Sequence, residues 1–220
     1  MDVRTSSRLW EDREIVSSAA SPQHAPTDRR LVVARLAAAA AALGGVAWTL
    51  KAGVVLATGD EPPGAFAVGL VLFPFALLGL WSLLGRAGER PAARVGGFLA
   101  AIAAACGVLA LLVRAAGGEG VEPAEDEVTL LTPFITGAGA GTLLALVALG
   151  VAVRRTTALA PSYASLPLTM GLAIAPLLIV GGALESVSER LIELPVALLG
   201  LGWIGLGIAL WNAPSQRKPR

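Results

Sequence analysis

Two residue types that carry much of protein chemistry are almost missing from this 220-residue chain, which has one cysteine, Cys106, and one histidine, His24. A lone cysteine excludes an intrachain disulfide, a Cys-pair redox motif and a Cys-cluster metal centre. The histidine precedes every long apolar stretch. No His–Ser or His–Cys pair therefore exists inside those stretches for nucleophilic catalysis, and neither a His-based zinc site nor bis-His haem ligation can be built there. The strings Gly-x-Ser-x-Gly, His-Glu-x-x-His and Gly-x-x-x-x-Gly-Lys-[Ser/Thr] are absent. Their absence argues against an intramembrane serine protease or a zinc protease, and leaves any use of ATP to a partner. No apolar stretch contains Asp, which excludes an intramembrane Asp dyad and Asp-rich magnesium motifs. The chain is expected not to be an enzyme and to need no cofactor.

Charge is scarce as well. Asp, Glu, Lys and Arg make up 15% of the chain, against about 25% in soluble domains. Hydrophobic residues reach 55% and the mean hydropathy is +0.71. A membrane helix needs roughly 20 mostly apolar residues to cross about 30 Å of hydrocarbon. Six stretches qualify: Leu31 to Leu56, Ala65 to Leu84, Val95 to Val113, Thr129 to Val153, Leu166 to Leu184 and Leu194 to Trp211. They are apolar on all sides, as helices surrounded by lipid and one another should be, and none alternates polar and apolar residues as a barrel strand would. The predicted fold class is all-α, a six-helix transmembrane bundle over residues 31–212. It is flanked by an N-terminal tail, 1–30, too charged for a signal peptide, and a basic C-terminal tail, 213–220. The tail segment from Arg8 to Val16 suits either a helix lying on the membrane surface, with Trp10, Ile15 and Val16 dipping in, or disorder.

Charge placement predicts the orientation. Arg4, Arg8, Arg13, Arg29, Arg30 and Arg35 stand at the start of the first span. Arg86, Arg90 and Arg94 lie between spans two and three, Arg154 and Arg155 after span four, and Arg217, Lys218 and Arg220 after span six. The alternate loops carry Asp60 and Glu61, then the run from Glu119 to Glu127, then Glu185, Glu189 and Glu193. Of the 17 basic residues only Lys51, Arg114 and Arg190 fall on that side. The excess of basic residues predicts that both termini are cytoplasmic in a multi-pass plasma-membrane protein. The layout and size are similar to the substrate-binding components of vitamin transporters driven by a separate ATPase, a likeness of architecture without a shared motif.

Within the spans, Pro74, Pro133 and Pro176 predict helix kinks. Leu72-Phe-Pro-Phe75 and Leu131-Thr-Pro-Phe134 hint at hairpin duplication. Gly137 and Gly141 form a Gly-x-x-x-Gly pair suited to close helix packing. Gly200-Leu-Gly-Trp-Ile-Gly205 matches a dinucleotide fingerprint as a string, but with no strand before it Gly200 and Gly205 read as a packing face. Thr132 and Thr136 share a helical face. They suit a polar pathway or the carbonyls that Pro133 would free; Thr142 lies in the same span, and Cys106 reads as a small apolar filler.

The candidate ligand-binding residues are Lys51, Glu185, Glu189 and Glu193. Lys51 lies after Trp48, seven residues before Thr58, or roughly 10 Å along a helix axis. A charge at that depth marks a functional site whose partner must be named, here Glu185 or Glu193; snorkelling with Trp48 as an interfacial anchor is the other reading. Glu185, Glu189 and Glu193, spaced four apart, would share one face if the fifth span continued as a helix, forming a cation site or a solvated acidic loop. Solute or ion translocation, or the membrane-embedded binding subunit of a transporter, is the expected function; a non-catalytic scaffold or regulatory subunit is the alternative. The expected partners are the lipid bilayer and either further copies of the chain or a second membrane subunit, with no nucleic acid.

Overall fold

The computed structural model describes residues 25–85, 90–117, 129–156 and 158–213. These form six long helices: α1 (Ala25–Thr58), α2 (Ala65–Leu83), α3 (Pro91–Gly117), α4 (Thr132–Val153), α5 (Leu166–Glu185) and α6 (Glu193–Trp211). Short 3₁₀ turns at Pro161–Tyr163 and Glu189–Ile192 precede α5 and α6. All six helices are long and apolar enough to span a membrane. Most of the N-terminal tail, the run from Glu119 to Glu127 and the C-terminal tail lie outside the described residues. Helix α1 begins at Ala25, six residues before the apolar span that starts at Leu31.

The helices close a ring in chain order, each packed on the next and α6 back against α1, with α2 also reaching α4 across the interior. The α1–α6 and α3–α4 seams are the most extensive and are built on small residues. At the first, a methyl group on Gly45 would sit 2.5 Å from the Gly200 carbonyl oxygen, and one on Gly207 would sit 2.9 Å from the Ala38 carbonyl oxygen. At the second, a methyl group on Gly141 would lie 2.9 Å from the Ala103 methyl, and one on Gly137 would lie 2.9 Å from Cys106 Sγ. Such approaches bring backbones together, so dispersion can hold helices in a solvent that gives no hydrophobic drive between them. Gly205 is different, because a methyl there would meet only Leu166 Cδ2 at 3.6 Å, an ordinary contact.

The two ends of the bundle differ in charge. Arg35 lies 5.6 Å from the centre of the Trp211 ring, and Arg90 Nη1 donates to the Arg155 carbonyl at 3.2 Å. The start of α1, the end of α6 and the α2–α3 and α4–α5 loops therefore meet at one basic end. Asp60, Glu61, Glu185, Glu189 and Glu193 belong to the loops and helix ends of the opposite, acidic end. The densest packing fills the basic half, where Leu77, Leu80, Leu146, Leu149, Leu206 and Leu210 are buried against Ala37, Ala38 and Ala41.

The prolines do not behave alike. Pro74 and Pro176 lie inside α2 and α5, whereas Pro133 stands in the first turn of α4. The kink expected at Pro133 is therefore corrected, because a first-turn proline removes an N–H that has no helical partner anyway. It frees no carbonyl for the threonines. The Thr132 hydroxyl accepts from the Thr129 N–H at 3.1 Å, and the Thr142 hydroxyl donates to the Ala138 carbonyl at 2.7 Å. The two Pro-Phe strings also occupy different places, mid-helix and helix start, which removes the hint of duplication. Beyond Pro176, α5 exposes Leu178, Ile179 and Val180 in succession. Three consecutive residues cover roughly 200° of a helix, so this half-helix is exposed on most of its circumference.

Candidate functional site

The end of α1 is fixed by Gly59. Its N–H donates to the Val55 carbonyl at 2.8 Å and its φ is +90°, the left-handed closure that glycine adopts without strain. The missing side chain also leaves room for Arg190, since a Cβ on Gly59 would lie 2.7 Å from a guanidinium nitrogen. The 3₁₀ turn carrying Arg190 is thereby seated on the end of α1, and α6 starts beside it with Glu193 as its first residue. A carboxylate in that first turn is favoured by the partial positive charge of the helix N-terminus.

Seven residues back from Thr58, Lys51 Nζ donates to Glu193 Oε1 at 2.6 Å. Lys51 is 8% exposed and Glu193 6%, and among the described residues they are the only buried charged side chains. A second carboxylate, Glu61 on the α1–α2 connection, lies 3.7 Å from the same ammonium and is largely exposed. Glu193 Oε2 is buried and has no hydrogen-bond partner among the described residues. Pro195, two residues further on, has no N–H to offer it.

Beneath the pair lies a run of aromatic rings. Trp48, one turn before Lys51, stacks on Phe66 at 5.9 Å and meets Phe73 edge-on at 5.1 Å; Phe73 stacks on Trp203 at 4.1 Å. Glycines make this possible, because Gly69 lies against the Trp48 indole and Gly44 against the Phe73 ring. The Trp48 Nε1–H is buried against α2 and has no acceptor among the described residues. Phe73 and Trp203 belong to the same buried core as the leucines of the basic half, and Trp48 packs against it.

Of the residues picked from the sequence, the structure brings Lys51 and Glu193 together and leaves the other two apart. Glu185 ends α5 and Glu189 opens the 3₁₀ turn; both are exposed. Ser186 and Val187 form a turn and Ser188 is extended, so the three glutamates do not share a helical face as a continuous fifth span would require. Sequence reasoning missed Glu61 as a partner, and it missed the aromatic run. The available signal was the concentration of scarce aromatics near the acidic ends of the first two helices.

The Lys51–Glu193 pair joins the two helices with the most extensive seam, and the exposed Glu61 carboxylate stands beside it. Two carboxylates around one ammonium leave a net negative charge, an arrangement that can hold a small cation or a solute carrying one. Among the described residues no cluster of three or more His, Cys, Asp or Glu is placed to hold a metal ion. No protein-family model matches the chain, and no curated protein and no solved structure matches it.

Proposed function

We propose that the chain is a plasma-membrane protein that binds a small solute or ion at the Lys51–Glu193 site and passes it across the bilayer, alone or as the embedded binding subunit of a transporter. In this reading both termini are cytoplasmic, as the basic end implies under the positive-inside rule, and the acidic end with its buried pair opens to the outside. The observation that carries it is the Glu193 carboxylate, which is buried with one oxygen on Lys51 and the other without a partner among the described residues. Charges inside a membrane helix bundle are costly and persist where they serve a pathway or a ligand. Pro176 and the exposed second half of α5 supply a helix whose movement disturbs little packing.

A second reading, a scaffold or regulatory subunit, is favoured by the basic half, where alanine and leucine dominate the buried core. Native mass spectrometry of protein extracted gently from its own membrane separates the two. A monomer or homo-oligomer carrying a small bound mass supports translocation, whereas a stoichiometric second protein and no small mass supports the scaffold.

A further inference from the structure

We infer that Glu193 is a cation seat filled from within the chain by Lys51, and that the external ligand it accepts is a small primary ammonium. This rests on the reading of the site as a solute site and adds the chemistry of the solute.

The seat already holds an ammonium group at 2.6 Å. A carboxylate offers about four acceptor positions on its two oxygens, yet Oε2 is buried and has no hydrogen-bond partner among the described residues. A second N–H donor can be accepted there once movement of Lys51 opens the seat. Lys51 has somewhere to go, because Glu61 Oε1 is 3.7 Å away and largely exposed. Transfer of Nζ from Glu193 to Glu61 lets an incoming ammonium take the buried oxygen without leaving either charge unpaired, which is the costly state for a buried pair.

The surroundings select among cations. Calcium takes six to eight oxygen ligands, and magnesium keeps a near-ideal octahedron. Two carboxylates, with no third His, Cys, Asp or Glu grouped with them among the described residues, are too few for calcium, and magnesium would have to carry its waters into a buried site. An ammonium needs only a few acceptors for its N–H groups. Trp48, one turn before Lys51, is stacked on Phe66, so the helix face next to the ammonium is apolar.

The test uses the full chain in nanodiscs and reads thermal unfolding. Lys51→Ala removes the atoms of n-propylammonium, so this ion is the probe; 1-propanol is its neutral counterpart and tetramethylammonium a cation without N–H. Lys51→Ala is expected to lower the unfolding temperature by about 5–10 °C, and n-propylammonium to restore it along a saturating curve that the other two do not reproduce. In the unsubstituted chain n-propylammonium also stabilises, at higher concentration because it competes with Lys51. Glu61→Gln raises the required concentration roughly tenfold, as expected for one lost charge-assisted contact. Glu193→Gln abolishes the effect. The inference is overturned if propanol works equally well, if Glu193→Gln responds like the parent, or if neither Lys51→Ala nor the unsubstituted chain shows saturation. Should Lys51→Ala not fold, the parent and Glu61→Gln titrations decide alone. A saturating ammonium response beside a native preparation without bound solute would retain the seat and remove the solute-binding reading. A bound solute without an ammonium response would do the reverse.

Discussion

Lys51 and Glu193 are 142 positions apart in the chain and 2.6 Å apart in space, and they tie the last two turns of α1 to the first turn of α6. Both are buried, with the exposed Glu61 carboxylate 3.7 Å from the Lys51 ammonium. A pair in that setting is held less by its own attraction than by the cost of leaving either charge alone.

That asymmetry predicts the behaviour of variants. Lys51→Met or Glu193→Gln alone is expected to destabilise the chain by about 3–5 kcal/mol, whereas Lys51→Met combined with Glu193→Leu recovers most of the loss. Unfolding in detergent under matched conditions measures both. Additive losses in the double variant would show that the pair is not coupled.

The glycines predict a second contrast. Gly200→Ala places a methyl 2.8 Å from the Gly45 carbonyl oxygen, backbone that cannot yield, and is expected to cost about 1–3 kcal/mol. Gly205→Ala, five residues on, meets only the end of Leu166 and is expected to be tolerated. Thermal stability of the two single variants checks this directly.

A third contrast concerns partners. Gly141 faces α3 of its own chain, while Gly139 has nothing within 4 Å of an added methyl. Gly141→Leu is expected to lower stability and yield whether or not a partner exists. Gly139→Leu is expected to leave the monomer folded, so loss of a co-purifying chain in Gly139→Leu alone would identify an interface on that face of α4.

The single cysteine makes orientation testable. In a Cys106→Ser background, Asp60→Cys is expected to react with an impermeant maleimide on intact cells, and Arg155→Cys only after the membrane is opened. The opposite pattern would invert the proposed topology.

The six spans were legible because lipid imposes a length and a composition that Ala, Leu and Gly satisfy wherever they run for 20 residues or so. Lys51 was legible as an oddity for the same reason. Its partner was not, because choosing between Glu185 and Glu193 depends on where the fifth helix stops, and the turn at Ser186 and Val187 that stops it contains no proline or glycine. Glu61 was hidden by its place in an exposed loop. Pro133 misled because a proline in an apolar stretch looks the same whether the helix begins before it or at it. Gly200 and Gly205 read alike as a string, and only the α1–α6 crossing distinguishes them.

The central claim is that the Lys51–Glu193 site binds a solute for passage across the membrane. Proteoliposomes containing the chain can be exposed to a small-molecule extract, and both the lumen and the protein-bound fraction read by mass spectrometry. The account predicts at least one solute enriched over protein-free liposomes, inside or bound, and lost with Lys51→Met despite intact expression and insertion. Contents indistinguishable from protein-free liposomes, with nothing retained on the protein, would contradict it.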